Sequence, residues 1–188
     1  RETSAKPRAM SSATLPSGAT LRGLAYANSS AYLGVRFAQS PVGDLRWRAP
    51  SPFAHARGQT YNATAFGLPC VQEVEPFSED CLFLNIFAPR IATKLPVLVY
   101  IHGGCFMADS TRNALFNGTH LVELAARGAS GAVPVILVTI QYRLGVYGWL
   151  GGDALRGKSG ATGNWGLMDQ RLALRWVRAN VGAFGGDR

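Results

Sequence analysis

Residues 96–104, Pro96-Val-Leu-Val-Tyr-Ile-His-Gly-Gly104, decide how this chain is read. An unbroken apolar run of this length suits a strand buried on both faces and is too short for an amphipathic helix. Stopping at once in a glycine pair, it predicts a buried strand feeding a tight turn. Glycines there permit unusual φ/ψ values and leave the neighbouring backbone amides unobstructed. Two amides converging on one point can stabilise the oxyanion of a tetrahedral intermediate, and losing one such donor costs about 10²–10³ in rate. A Gly-Gly pair after a strand is by itself also an ordinary turn, so the reading depends on what surrounds it.

Outward from this run, Val133 to Gln141 reads as a second buried strand, and Tyr32 to Phe37 and Leu82 to Phe87 as two shorter ones. Thr119 to Ala126 predicts a short helix. The clearest helix lies within Gly163 to Phe184, where Met168, Leu172 and Trp176 recur at four-residue spacing and Arg171, Arg175 and Arg178 share another face. That arginine stripe is read as a solvated face. Asn164 is the expected cap, and Gly182 with Gly185-Gly186 the expected stop. Strands alternating with helices predict an α/β fold, with a largely parallel sheet covered by helices on both faces. Residues 1–20, rich in Ser, Ala, Thr and Pro, read as a loosely held arm, and 21–188 as a single domain. After Phe184-Gly-Gly-Asp-Arg188 the pattern predicts a further strand, so the sequence reads as cut short.

The 188 residues are 47% hydrophobic, enough for a sizeable core. Nineteen Lys and Arg against eleven Asp and Glu give a net charge of +8. These basic residues are scattered, whereas a nucleic-acid site needs them clustered on one face, so nucleic-acid binding is set aside. No apolar stretch approaches the ~20 residues that span a bilayer. The chain opens Arg-Glu-Thr-Ser without Met, as a processed start would. Acceptor sequons stand at Asn28, Asn62 and Asn117. Of the three cysteines, Cys70 and Cys81 could close a small loop and Cys105 is left over; a cytosolic protein would keep all three reduced. Sequons and cysteines together favour a secreted or extracellular protein.

Five separated stretches then resemble one family. Ser78-Glu-Asp-Cys-Leu-Phe-Leu-Asn85 resembles a signature of the type-B carboxylesterases and cholinesterases, which are α/β-hydrolases. Pro41-Val-Gly-Asp-Leu-Arg-Trp-Arg48, Tyr142-Arg-Leu-Gly145, Gly163-Asn-Trp-Gly-Leu-Met-Asp-Gln170 and Phe184-Gly-Gly-Asp187 are similar to further blocks, in family order. The resemblance implies that Gly104 and Cys105 supply oxyanion-hole amides, with Gly103 just before them in the loop. It implies a disulfide between Cys70 and Cys81, and bracing ion pairs Arg46–Glu79 and Arg143–Asp169. His102 matches the strand-end histidine of the family, not its triad histidine. It implies no metal or organic cofactor and a small-molecule ester substrate.

Two departures stand out. Cys105 replaces the usual third loop glycine and would be strained by roughly 1–3 kcal/mol if the turn needs a positive φ. No Gly-x-Ser-x-Gly occurs; Gly157-Lys-Ser-Gly and Gly128-Ala-Ser-Gly have the wrong spacing. In this fold nucleophile, acid and histidine all follow the oxyanion loop, so the serine is expected past Arg188 and the chain alone is expected to be inactive. Cholinesterases of the family it resembles carry, in the loop that matches Cys70 to Cys81, a tryptophan that binds quaternary ammonium through its π-face. The ten residues between Cys70 and Cys81 hold none, only Phe77, so the resemblance implies a general carboxylesterase and disfavours a quaternary-ammonium substrate. A carboxylic ester hydrolase is therefore expected, the alternative being a non-catalytic cholinesterase-like adhesion protein.

Overall fold

The computed structural model describes residues 6–91, 93–128, 131–156 and 160–188. Seven strands form one sheet: β1 (Ala9–Thr14), β2 (Thr20–Ala25), β3 (Ser29–Arg36), β4 (Thr60–Asn62), β5 (Phe83–Pro89), β6 (Val97–Ile101) and β7 (Ile136–Ile140). Their order is β1-β2-β3-β5-β7-β6, with β4 beside β2. Among the described residues three α-helices accompany them: α1 (Thr119–Ala126), α2 (Gly145–Trp149) and α3 (Trp165–Asn180).

Side-chain alternation divides the core between the two faces. Ala31 and Leu33 of β3, Phe87 of β5 and Leu137 of β7 pack with Val122 of α1. The intervening Tyr32, Leu84, Ile86, Ile136, Val138 and Ile140 meet Ala173, Trp176 and Val177 of α3 on the opposite face. Every residue of β7 is buried, because it is paired on both edges and covered on both faces.

Three expectations change. Among the described residues only β2–β4 and β6–β7 run parallel; the pairings β1–β2, β2–β3, β3–β5 and β5–β7 are antiparallel. The sheet is therefore mixed, since its strands up to β5 follow one another without crossover helices. Second, the stretch expected as a loose arm contains β1, registered residue for residue on β2. Its Ser- and Ala-rich sequence carries no periodic signal because most of the strand faces solvent. Residues 1–5 lie outside the described residues. Third, β6 is not buried throughout: among the described strands it pairs with β7, and its Leu98 is 52% exposed. On its other edge Leu95 accepts from Asp187 N at 2.8 Å and donates to Gly185 O at 3.0 Å, so residues 185–187 begin a parallel pairing there.

α3 also starts differently from the sequence reading. Asn164 is left-handed, with φ 57°, and its side chain makes no capping bond. The buried face centres on Asp169, Ala173, Trp176 and Val177, while Met168 and Leu172 are half-buried at its margin. Arg171, Arg175 and Arg178 are exposed.

Candidate active-site loop

β6 ends at Ile101 and the chain turns sharply through His102-Gly-Gly-Cys-Phe106. Gly104 has φ +95°, and a Cβ placed there would lie 2.1 Å from the carbonyl oxygen of Ala108, so only glycine fits without moving the backbone. Met107 N and Ala108 N both donate to Gly104 O, at 2.9 and 3.1 Å. Cys105 and Phe106 follow with φ 52° and 63°, and Asp109 with 80°. Left-handed non-glycine residues cost about 1–3 kcal/mol each and persist where surrounding structure over-determines them. Among the described residues, no backbone carbonyl accepts the amides of Gly104 or Cys105. Those two donors remain available to a ligand oxygen.

What holds the strained loop is a set of groups behind it. The Tyr142 hydroxyl, buried after β7, donates to His102 O at 2.8 Å, and the imidazole stacks on the Tyr142 ring at 4.6 Å between centroids. His102 is 2% exposed, and its Nδ1 lies 3.0 Å from Gly103 O. Burial pulls the His102 pKa below the ordinary histidine value, against the opposing Gly103 carbonyl and Asp109 charge. A neutral ring donating from Nδ1 to Gly103 O fits these contacts. His102 is thus a support of the loop, and its Nε2 is buried with no hydrogen-bond partner among the described residues.

The far side of the loop is tied to the disulfide segment. Cys70 and Cys81 are bonded, with Cα atoms 4.9 Å apart. Within that segment Gln72 accepts from Asp109 N at 2.9 Å and donates to Asp109 O at 3.1 Å. Buried Gln141 bridges Leu68 O and Thr111 N at 2.9 and 3.3 Å. Tyr142, Gln72 and Gln141 escaped sequence reasoning as loop supports. Gln141 and Tyr142 directly follow β7, where a polar residue that the fold buries must find partners, and that was the available signal.

The four charged residues fall into two different pairs. Arg143 and Asp169 are 3% and 0% exposed, and Asp169 accepts from Arg143 N, Nε and Nη2 at 2.8–3.0 Å. Arg143 also donates to Arg48 O at 2.9 Å, joining α3 to the segment after β7 and to the 41–52 segment. Arg46 and Glu79 form a two-pronged contact at 2.6 Å, but the Arg46 side chain is 38% exposed. The cost of breaking a buried pair therefore attaches to Arg143–Asp169 alone.

Beside the free amides the surface is apolar. Phe106, Met107 and Val146 are exposed, and the Phe106 ring lies 4.5 Å from that of Trp149. The Cys105 thiol is free and exposed. No group of three His, Cys, Asp or Glu that could hold a metal occurs among the described residues. Asn62 and Asn117 are exposed, whereas Asn28 is half-buried and its amide donates to Glu123 at 3.2 Å. Of the wrongly spaced serine stretches, residues 129–130 and 157–159 lie outside the described residues.

This loop, on this sheet, is matched by a family model described as "Carboxylesterase family" over residues 11–188. The chain belongs to the carboxylesterase family. Among curated relatives, para-nitrobenzyl esterase of Bacillus subtilis (strain 168) is 41% identical over 165 residues, 82% of this chain and 32% of that protein. Fumonisin B1 esterase of Sphingopyxis macrogoltabida is 38% identical over 168 residues, 83% of this chain and 29% of that protein. Solved structures of the same fold include a PNB esterase with TM-score 0.79 and 39% identity, covering 94% of this chain and 36% of the other. Aspergillus niger EstA superposes with TM-score 0.80 at 39% identity, over 95% of this chain and 34% of its own. The chain therefore spans about a third of the length of the carboxylesterase-family relatives it matches.

Proposed function

We propose that these residues supply the oxyanion-binding loop of a carboxylic ester hydrolase acting on small-molecule esters. The observation that carries this reading is the pair of free amides at Gly104 and Cys105, held in a strained turn at the end of β6. Donors fixed in advance where negative charge develops stabilise a transition state without reorganising during the reaction. The attacking group is a serine hydroxyl outside these 188 residues, since no Gly-x-Ser-x-Gly occurs among them. Its oxygen adds to the ester carbonyl as a histidine takes its proton. The carbonyl oxygen becomes the oxyanion, and the two amides receive it. Collapse expels the alcohol, protonated by that histidine, and leaves an acyl-enzyme that water hydrolyses by the same route.

The apolar surface of Phe106, Met107 and Val146 beside the amides suits the uncharged carbon chain of an ester. A serine-directed fluorophosphonate is expected to label the chain at its full natural length and to leave residues 1–188 alone unlabelled. Absence of labelling in the full-length protein would overturn the esterase reading in favour of a non-catalytic adhesion role. The bonded Cys70–Cys81 pair and the exposed Asn62 and Asn117 also support passage through the secretory route. Glycosidase treatment of the secreted protein is expected to lower its mass, and an unglycosylated product confined to the cytosol would count against that route.

A further inference from the structure

A concavity lies at the end of β6 opposite the loop, where Leu95 bridges Gly186. His102 lies eight positions beyond Lys94, about 25 Å of extended chain. The concavity encloses about 460 Å³ and is lined by Ser11, Ser12, Ser30, Tyr32, Arg90 and Lys94 among others, with no carboxylate side chain among the described lining residues. We propose that this cavity binds a phosphate group.

Three hydroxyls form its floor. Ser11 Oγ donates to Ser30 Oγ at 2.9 Å, and Ser11 Oγ and Tyr32 Oη share a hydrogen bond of 3.0 Å. Ser11 spends its only proton on Ser30, so Tyr32 is the donor in the second contact. These bonds use two of the three hydroxyl protons, which leaves the O–H of buried Ser30 to give to another acceptor. The Phe184 ring packs edge-on against Tyr32 at 4.9 Å and fixes the far end of this chain of hydroxyls. Burial raises the Tyr32 pKa, so its hydroxyl stays protonated at neutral pH. Arg90 and Lys94 line the same cavity, are exposed, and contribute two positive charges. A buried hydroxyl donor and two cations lining one cavity match a doubly charged tetrahedral anion. The cavity exceeds the size of inorganic phosphate, so a phosphate monoester fits as well.

The test is calorimetric titration of the chain at its full natural length, at constant ionic strength with chloride as the balancing anion. Inorganic phosphate and glycerol phosphate are the two probes, and acetate is the comparison. Saturable binding of either phosphate is expected, and tighter binding of glycerol phosphate would identify an organic monoester as the source. Lys94→Ala with Arg90→Ala is expected to weaken binding at least tenfold, and Ser30→Ala about tenfold. Because Ser30 is buried, the exposed Lys94 and Arg90 pair serves as the variant whose folding is not at issue. Phosphate heats equal to those of chloride, acetate binding as tight as phosphate, or unchanged affinity in the doubly substituted variant would each overturn the proposal. None of these outcomes depends on ester hydrolysis.

Discussion

Replacing Gly104 with alanine isolates the loop geometry from everything else in the molecule. The added carbon would lie 2.1 Å from Ala108 O and 2.7 Å from Ala108 C, at a φ of +95°. Restoring ordinary contact requires a shift of roughly 1 Å, and overpacking of this kind costs about 1–3 kcal/mol. The left-handed backbone adds about 1–2 kcal/mol for a residue with a Cβ. The loop is braced behind by Tyr142 and His102, so the displacement falls on the amides of Gly104 and Cys105. Losing one oxyanion donor is worth about 10²–10³ in kcat. In the full-length protein, hydrolysis of a short-chain p-nitrophenyl ester is therefore expected to fall at least a hundredfold in kcat, with KM little changed. Gly103→Ala is the paired control. A Cβ there meets nothing within 4 Å, and Gly103 is outside the left-handed region, so a loss of less than tenfold is expected. If Gly104→Ala kept more than a tenth of the parent kcat, Gly104 and Cys105 would not form the oxyanion site.

Cys105→Gly relieves a φ of 52°, so the full-length protein is expected to gain about 1 kcal/mol in stability with equal or higher activity; abolished activity would instead point to the thiol as nucleophile. His55 and His102 both have pKa values lowered by burial from the ordinary 6.5. The unfolded chain therefore binds more protons, and stability is complete above pH 6.5 and declines as pH falls from there towards the lower folded values. Urea unfolding at pH 7.5 and 5.5 should show this decline, and His102→Gln should reduce it; an unchanged slope would refute the assignment. Glu123 is driven up by burial, but the Ser29 hydroxyl, the Asn28 backbone and side-chain amides and Arg127 outweigh this and hold its carboxyl below the usual range. Glu123→Ala leaves the Asn28 N–H and Ser29 O–H unpaired where α1 meets the β2–β3 turn, so a loss of about 1–3 kcal/mol in urea unfolding is expected. Reducing or removing the Cys70–Cys81 bond is expected to cost about 3 kcal/mol, from the loop length alone, and peptide mapping without reductant should recover the two cysteines joined.

Periodicity and turn chemistry alone located β3, β5, β6, β7, α1 and α3, because each carries a run or a repeat that few other conformations satisfy. The glycine pair after β6 marked the loop for the same reason: its backbone requirement is written into residue type. β1 was silent in the sequence, since a short, exposed strand is held by its ladder to β2 and not by an apolar face. Tertiary structure alone decided that the early strands run antiparallel and that the Arg46 side chain is partly exposed while that of Arg143 is not. It also decided which distant groups brace the loop after β6. Tyr142 and Gln72 lie 40 and 30 positions from His102, and hydrogen bonds over such separations leave no local pattern for a reader to find. The sequence of this carboxylesterase-family chain specified where the backbone must bend; packing determined what keeps it bent.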